Sequence, residues 1–222
     1  MSTPKIQHHS PDNDLFHLAF ICPGLSTEFP PLPHPLPSSS FCLLTFNPAQ
    51  GHRRLDFLHE ERTVVTKKAF SASKNDRFDI SQWMAEQEFC DGCYYWDVDT
   101  SRSVGWAVGV AYPSIGRRDQ LGRTASSWCL EWSRDKLCYW HDNTEQFVKH
   151  DCPSMVRVAL DMTNGTLSFY SLCERLKLLH CVEHRFSAPV RPMFWLFGLK
   201  QHNALSFPPW GLGSFSGDGF RF

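Results

Sequence analysis

An all-β fold, a bent antiparallel β-sandwich, is what this sequence predicts. Three observations carry that reading: short runs in which apolar and polar residues alternate, turn residues between the runs, and aromatic residues scattered along the chain. The chain has 222 residues, among them 18 Phe and 8 Trp. Each buried aromatic removes roughly 150 to 250 Å² from water, so a sizeable core is available without long helices.

Taken in order, residues 1–40 form a proline-rich leader, with six prolines between Pro23 and Pro37. Proline lacks the amide that a ladder needs, so this stretch is expected to be extended or disordered, its Pro30-Pro31-Leu32-Pro33 suited to a polyproline helix. The folded domain is expected over residues 41–207, and a flexible tail rich in glycine and proline over 208–222. Ile80 to Gln87 reads as one or two turns of helix capped by Ser81. Tyr94 to Asp99 alternates as a half-buried strand does, and Trp106 to Ala111 is an apolar run suited to a strand covered on both faces. Trp128 to His141 reads as a hairpin around Ser133-Arg134-Asp135-Lys136, with Trp128, Leu130 and Trp132 on one face. Val156, Val158, Leu160 and Met162 alternate toward Asn164-Gly165, after which Leu167 and Phe169 resume the pattern. Asn-Gly between alternating runs predicts a type I′ hairpin turn, because both central residues then take positive φ. Val190 to Gly198 supplies a further dense strand.

Composition excludes several classes of function. Lys and Arg number 22 against 23 Asp and Glu, a formal net charge of −1, so no bulk field draws polyanions. Nine Cys, an odd number without framework spacing, read as reduced thiols in a cytoplasmic protein. No apolar run approaches the roughly 18 residues that span a bilayer. Cys90-Asp91-Gly92-Cys93 is half a zinc site without its second pair, and His150-Asp151-Cys152 has nothing that brings it there. Neither a nucleophile elbow nor a phosphate-cradling glycine loop is present. No catalytic residue, cofactor or metal is therefore expected.

Tyr95-Trp96-Asp97-Val98, Gly105-Trp106-Ala107-Val108-Gly109-Val110-Ala111, and Leu160-Asp161-Met162 through Phe169-Tyr170 resemble, in order, the strand motifs of SPRY domains. Upstream, Leu44-Thr45-Phe46-Asn47-Pro48, Arg54-Leu55 and Arg62-Thr63-Val64 resemble the PRY segment that precedes them. The resemblance implies a PRY part over about 41–88 and a SPRY part over about 89–207, as in tripartite-motif and RING ubiquitin ligases. Leu121-Gly122-Arg123-Thr124, Ser127 to Trp132, Trp140-His141 and Phe194 to Leu199 resemble a narrower group, that of the ligases Riplet and the oestrogen-responsive finger protein, linked to a cytosolic sensor of viral RNA. Residues 1–40 carry one Cys and no RING ligand spacing. The expectation is therefore recognition without ligase chemistry in this chain: a truncated regulatory isoform that competes with a full-length ligase, a gene-model fragment, or a stand-alone reader.

What the resemblance implies for a site is a set of loops at one end of the sandwich that binds a protein partner. It nominates Arg54, Arg117, Arg118, Trp132, Trp140, His141, Phe197 and Lys200, and for each Trp core packing is an equal reading. The alternative partner is RNA, through Lys67, Lys68 and Lys74 with Phe70 as a stacking platform. No membrane contact is expected, and without a coiled coil no oligomer is implied.

Overall fold

Period-two alternation and turn residues lay the chain into fourteen strands and, among the described residues, no helix. The computed structural model describes residues 39–67, 77–173, 175–198 and 203–209. The first strands are β1 (Ser40–Phe41), β2 (Leu55–Leu58), β3 (Thr63–Thr66) and β4 (Gln82–Met84). The middle of the chain gives β5 (Cys93–Asp99), β6 (Trp106–Ala111), β7 (Ser127–Ser133), β8 (Lys136–His141) and β9 (Thr144–Val148). The last are β10 (Met155–Asp161), β11 (Thr166–Ser171), β12 (Lys177–Glu183), β13 (Arg191–Leu196) and β14 (Ala204–Ser206).

Two sheets result. The eight-stranded sheet runs β12-β11-β10-β5-β14-β3-β2, with β1 parallel to β5, and the six-stranded sheet runs β4-β13-β6-β7-β8-β9. Their inner faces share one core, to which β10 gives Val156, Val158 and Leu160 while Arg157 points outward. Every residue of β6 is buried, as its continuous apolar run requires. Trp106, Val108 and Val110 face the shared core, whereas Ala107 and Ala111 lie under a second apolar cluster on the outer face of the six-stranded sheet.

The segment before β2 plugs the sandwich. Phe46 contacts Phe57, Trp83, Phe194 and Phe207 with ring centroids at 5.2, 5.7, 5.4 and 4.9 Å, so one ring touches residues of both sheets. Polar bonds hold the plug in place. The Arg62 guanidinium donates to the carbonyls of Leu44 and Phe207, and Trp83 Nε1 donates to the Asn47 carbonyl at 3.1 Å. The motif residues of the N-terminal part thus meet in space.

Three expectations are corrected. Residues 80–87 contain β4, not a helix. Gln82–Met84 pairs with β13 and is wholly buried, and a three-residue strand is too short for its period to be read. The would-be cap Ser81 instead donates its hydroxyl to the Leu196 carbonyl at 2.6 Å. Ser40, assigned to the leader, is already a strand residue beside Tyr94. The turn at Asn164-Gly165 is wider than type I′: Asp161 pairs with Thr166 across it, and Gly165 is its only residue with positive φ, at 71°. The reason is Asp161, whose carboxylate accepts from the Asn164 backbone at 2.8 Å and its side-chain amide at 2.7 Å, holding a longer loop. Two-residue turns with paired positive φ occur elsewhere, at Arg134-Asp135 (50° and 57°) and at Asp142-Asn143 (46° and 57°). Residues 1–38 of the leader, and the tail from residue 210, lie outside the described residues.

Two outcomes test this account. Phe46→Ala empties a site bounded by four aromatic rings, and urea unfolding should show a loss of about 3 to 5 kcal/mol. Replacing Arg134-Asp135 by Asn-Gly matches the left-handed geometry already present and should raise stability by about 1 kcal/mol, read from the denaturation midpoint at unchanged m.

Candidate partner-docking surface

Strand register decides which side chains share the outer face of the six-stranded sheet. One row across it holds Gln82, Trp195, Ala107, Glu131, Cys138 and Phe147; the next includes Met193, Gly109, Cys129 and Trp140. Part of this face is roofed by Phe78, Ile115 and Leu121, which pack on Met84, Ala107, Ala111, Cys129 and Met193. The roof is tied down: Leu121 N–H donates to Gln82 Oε1 at 3.2 Å, and Gln82 Nε2 donates to the Asp119 carbonyl at 2.5 Å. Beyond the roof three aromatics, Trp140, Trp195 and Phe197, are only partly covered.

Arg123 organises those aromatics. Its guanidinium carbon lies 3.5 Å from the Trp140 ring centroid and 5.8 Å from that of Trp195, a cation–π arrangement that also buries the arginine stem. Its charge is met by Glu131, with Nη2 to Oε2 at 2.6 Å, and the other Glu131 oxygen accepts the Ser133 hydroxyl at 2.7 Å. A buried carboxylate in an otherwise apolar strand is thereby satisfied. Trp195 and Phe197 stack with centroids 4.2 Å apart and planes at 23°. Gly122 sets the approach of Arg123. Its φ is +79°, and a β-carbon there would lie 2.7 Å from both Cys129 Sγ and Trp140 Cβ, so glycine is required. What remains is a rigid, charge-neutral aromatic patch.

The nominated residues divide around this patch. Trp140 and Phe197 belong to it. Arg117 and Arg118 stand on the adjoining roof, Arg117 over the Phe78 ring at 4.7 Å and Arg118 ion-paired with Asp79 at 3.1 Å with its side chain 90 % exposed. Trp132 and His141 face the other way, although Trp132 shares the hairpin with Trp140. Trp132 packs against the inner core, and His141 stacks on Trp128 at 4.8 Å and 10°, with Nδ1 3.0 Å from the Ser127 carbonyl. Arg54 stands before β2 of the other sheet, where its carbonyl accepts the Lys67 amide at 2.9 Å. Lys200, Lys68, Lys74 and Phe70 lie outside the described residues, and Lys67 is ion-paired with Asp56 at 3.8 Å. Sequence reasoning missed Arg123, Glu131 and Trp195 as a unit. The available signal was a lone Glu inside an apolar strand, which calls for a cation.

Among the described residues no three His, Cys, Asp or Glu side chains come together as metal ligands would. Burial, followed by the hydrogen bond and charge of Asp161, holds the Cys93 thiol above its ordinary pKa. His150 Nδ1 is spent on the Asp151 carbonyl at 2.7 Å.

Comparison with known proteins follows this geometry. Residues 93–207, over half of the chain, match the family model described as SPRY domain. The chain is 40% identical over 164 residues to the human E3 ubiquitin-protein ligase RNF135, which is Riplet, covering 72% of this chain and 38% of that protein. Against mouse RNF135 it is 39% identical over 130 residues, 58% of this chain and 31% of that protein. Mouse E3 ubiquitin-protein ligase TRIM65 is 34% identical over 161 residues, 69% of this chain and 30% of that protein. The chain thus spans well under half the length of the curated relatives it matches. The crystal structure of the TRIM65 PSpry domain superposes with a TM-score of 0.70 at 27% identity, covering 78% of this chain and 98% of that one. The chain belongs to the SPRY domain family.

His52, beside Arg54, gives this region a pH signature. It is 7 % exposed, and burial first, then the charges of Arg53 and Arg54, push its imidazole down to about 4. The folded state keeps it neutral while the unfolded chain binds a proton near 6.5, so its contribution is complete above pH 6.5 and is lost as pH falls toward 4. Between pH 7 and pH 4.5, wild type should therefore lose about 2 kcal/mol more unfolding free energy than His52→Gln, measured by urea titration at each pH.

Proposed function

We propose, from membership of the SPRY family, that this chain is a protein-recognition module that selects a partner or substrate for ubiquitin signalling. The SPRY module is an interaction fold without catalysis of its own. The observation that carries the reading is the aromatic patch: Trp140, Trp195 and Phe197 stand partly exposed around an Arg123 whose charge is already taken by Glu131. Exposed aromatics on a rigid support are what interface anchors are made of, since they desolvate large area at small entropic cost. The patch therefore suits an apolar or aromatic protein segment. Its neutrality, the net charge of −1 and the Lys67–Asp56 pair favour protein over RNA.

The finer reading is that the partner is a cytosolic sensor of viral RNA and that the chain acts in antiviral innate immunity. It is supported by the similarity to RNF135 and by the motifs shared with ligases linked to that sensor. A cytoplasmic setting accords with the described cysteines, all of which are thiols.

Crosslinking pull-down from virus-stimulated cells tests both levels. Trp195→Glu and Arg118→Glu are compared with wild type after unfolding curves show each variant folded. Trp195→Glu should reduce capture of the principal partner at least tenfold, Arg118→Glu severalfold, and an RNA sensor should be in the wild-type eluate. An unchanged partner set with folded variants would remove the patch from the proposal, and a partner set without a sensor would remove the antiviral role.

A further inference from the structure

Strand β9 ends the six-stranded sheet, and among the described residues nothing pairs with its outer side. It lacks two of the usual protections of an edge: Thr144-Glu145-Gln146-Phe147-Val148 has no proline and its pairing with β8 runs without a bulge, while its first four residues are exposed. Phe147, 67 % exposed, is a large apolar side chain in the middle of it.

The direction of its backbone groups follows from the turn. Asp142-Asn143 joins β8 and β9 with positive φ at both residues, so the flanking His141 and Thr144 exchange hydrogen bonds. Bonding residues then alternate. Thr144, Gln146 and Val148 bond to β8, and the amides and carbonyls of Glu145 and Phe147 point away from the sheet. Glu145 and Phe147 place their side chains on one face, and Lys149, exposed just past the strand where the His150 N–H bonds the Val148 carbonyl at 2.9 Å, completes the sequence pattern Glu-x-Phe-x-Lys. Read against an antiparallel copy of itself, that pattern is its own complement: glutamate faces lysine, phenylalanine faces phenylalanine, lysine faces glutamate. Lys136, the first residue of β8, borders the same surface depression as Phe147 and Lys149, and neither lysine makes an ion pair among the described residues.

We infer that β9 joins two copies of this chain. Two β9 edges pair antiparallel about a two-fold axis at Phe147, bringing the Glu145 of each copy to the Lys149 and Lys136 of the other. A closed two-fold contact uses the same patch on both partners, which is what a self-complementary strand supplies. Two sheets of six strands then become one continuous sheet, and the aromatic patches around Trp195 lie on the same face of it. The ladder is short, so the dimer is weak, with a Kd of roughly 10 to 1,000 µM, below the area of a standard interface. A weak contact of this kind matters when two domains are already held near each other.

Sedimentation equilibrium of the whole chain up to about 1 mM tests the pairing. Wild type should show a monomer–dimer equilibrium. Glu145→Lys and Lys149→Glu each set like charges opposite one another at two positions and should weaken association about tenfold or more. An equimolar mixture of these two variants should restore it, because the hetero-pair again sets opposite charges face to face. The double variant carrying both changes should self-associate as wild type does. Both positions are exposed and lie outside the core, so unchanged melting curves are expected. A wild-type chain that stays monomeric at 1 mM, single variants that associate like wild type, or a mixture that fails to recover would each overturn the inference.

Discussion

The interaction on which the structure depends is the insertion of Phe46 between the two sheets. Its four aromatic neighbours come from positions as far apart as Phe57 and Phe207, so a single ring couples the β2–β3 hairpin, β4, β13 and the residue after β14. Such a contact closes long loops, and its enthalpy is collected only when both sheets are in place. The same logic appears in the ladder. Strand β14 lies between β3 and β5, bonding Ala204 to Val65 and Ser206 to Asp99, and so connects the first hairpin to the rest of the eight-stranded sheet. Arg62 completes the closure by bonding carbonyls far apart in sequence, at Leu44 and Phe207. The PRY-like and SPRY-like parts therefore share one core.

Outside that core, both sheets use one device to carry an ion pair on a mostly apolar strand. Arg157 makes two bonds to Asp97, at 2.7 and 2.9 Å, and lies over Tyr95 at 4.2 Å; Arg123 bonds Glu131 and lies over Trp140 at 3.5 Å. In each the arginine plane covers a ring while its donors satisfy a carboxylate that would be costly alone. Lysine has neither the plane nor the fork, which is why both positions are arginine. The difference lies in the surroundings. Beside Arg157 stand the partly covered Tyr95, Phe41 and Tyr170, whereas beside Arg123 stand Trp140, Trp195 and Phe197, the aromatics on which the proposed recognition face rests.

What could be read from the chain beforehand follows from the range of the interactions involved. Strands β5, β6, β10, β11 and β13 announce themselves by local alternation or by apolar runs, and the β7–β8 hairpin by a polar break between aromatic runs. Strand β4 does not, since three buried residues carry no period, and Gln82 belongs there because β13 and the roof loop satisfy it. The site was legible only in part for the same reason. Trp132 and Trp140 are equally aromatic and share a hairpin, yet register sends one to the inner face of the sheet and the other to the outer face, each partly covered: Trp132 opposes Leu137, and Cys129 opposes Trp140. Trp195 reaches Arg123 through the β13–β6–β7 pairing, which no local pattern encodes.

These constraints bear on how such a surface can recognise anything specifically. Arg123 is held by Glu131 below it, by Trp140 beside it and by the left-handed backbone of Gly122 before it, so its ordering cost is met in the free protein. The roof loop is fixed as well, with Asn143 N–H donating to the Gly122 carbonyl and Gln82 holding Leu121. On the proposed reading a partner meets side chains already ordered in the free protein, and its binding energy is not spent on ordering them. Specificity then has to come from shape and aromatic contact, because the nearest charge is internally neutralised. On the exposed rim Arg118 projects from the roof, where a change leaves the ladder beneath undisturbed. In a fold whose core is closed by Phe46 and whose proposed recognition face is stiffened by Arg123, rim residues can thus change what is recognised while the aromatic floor stays the same.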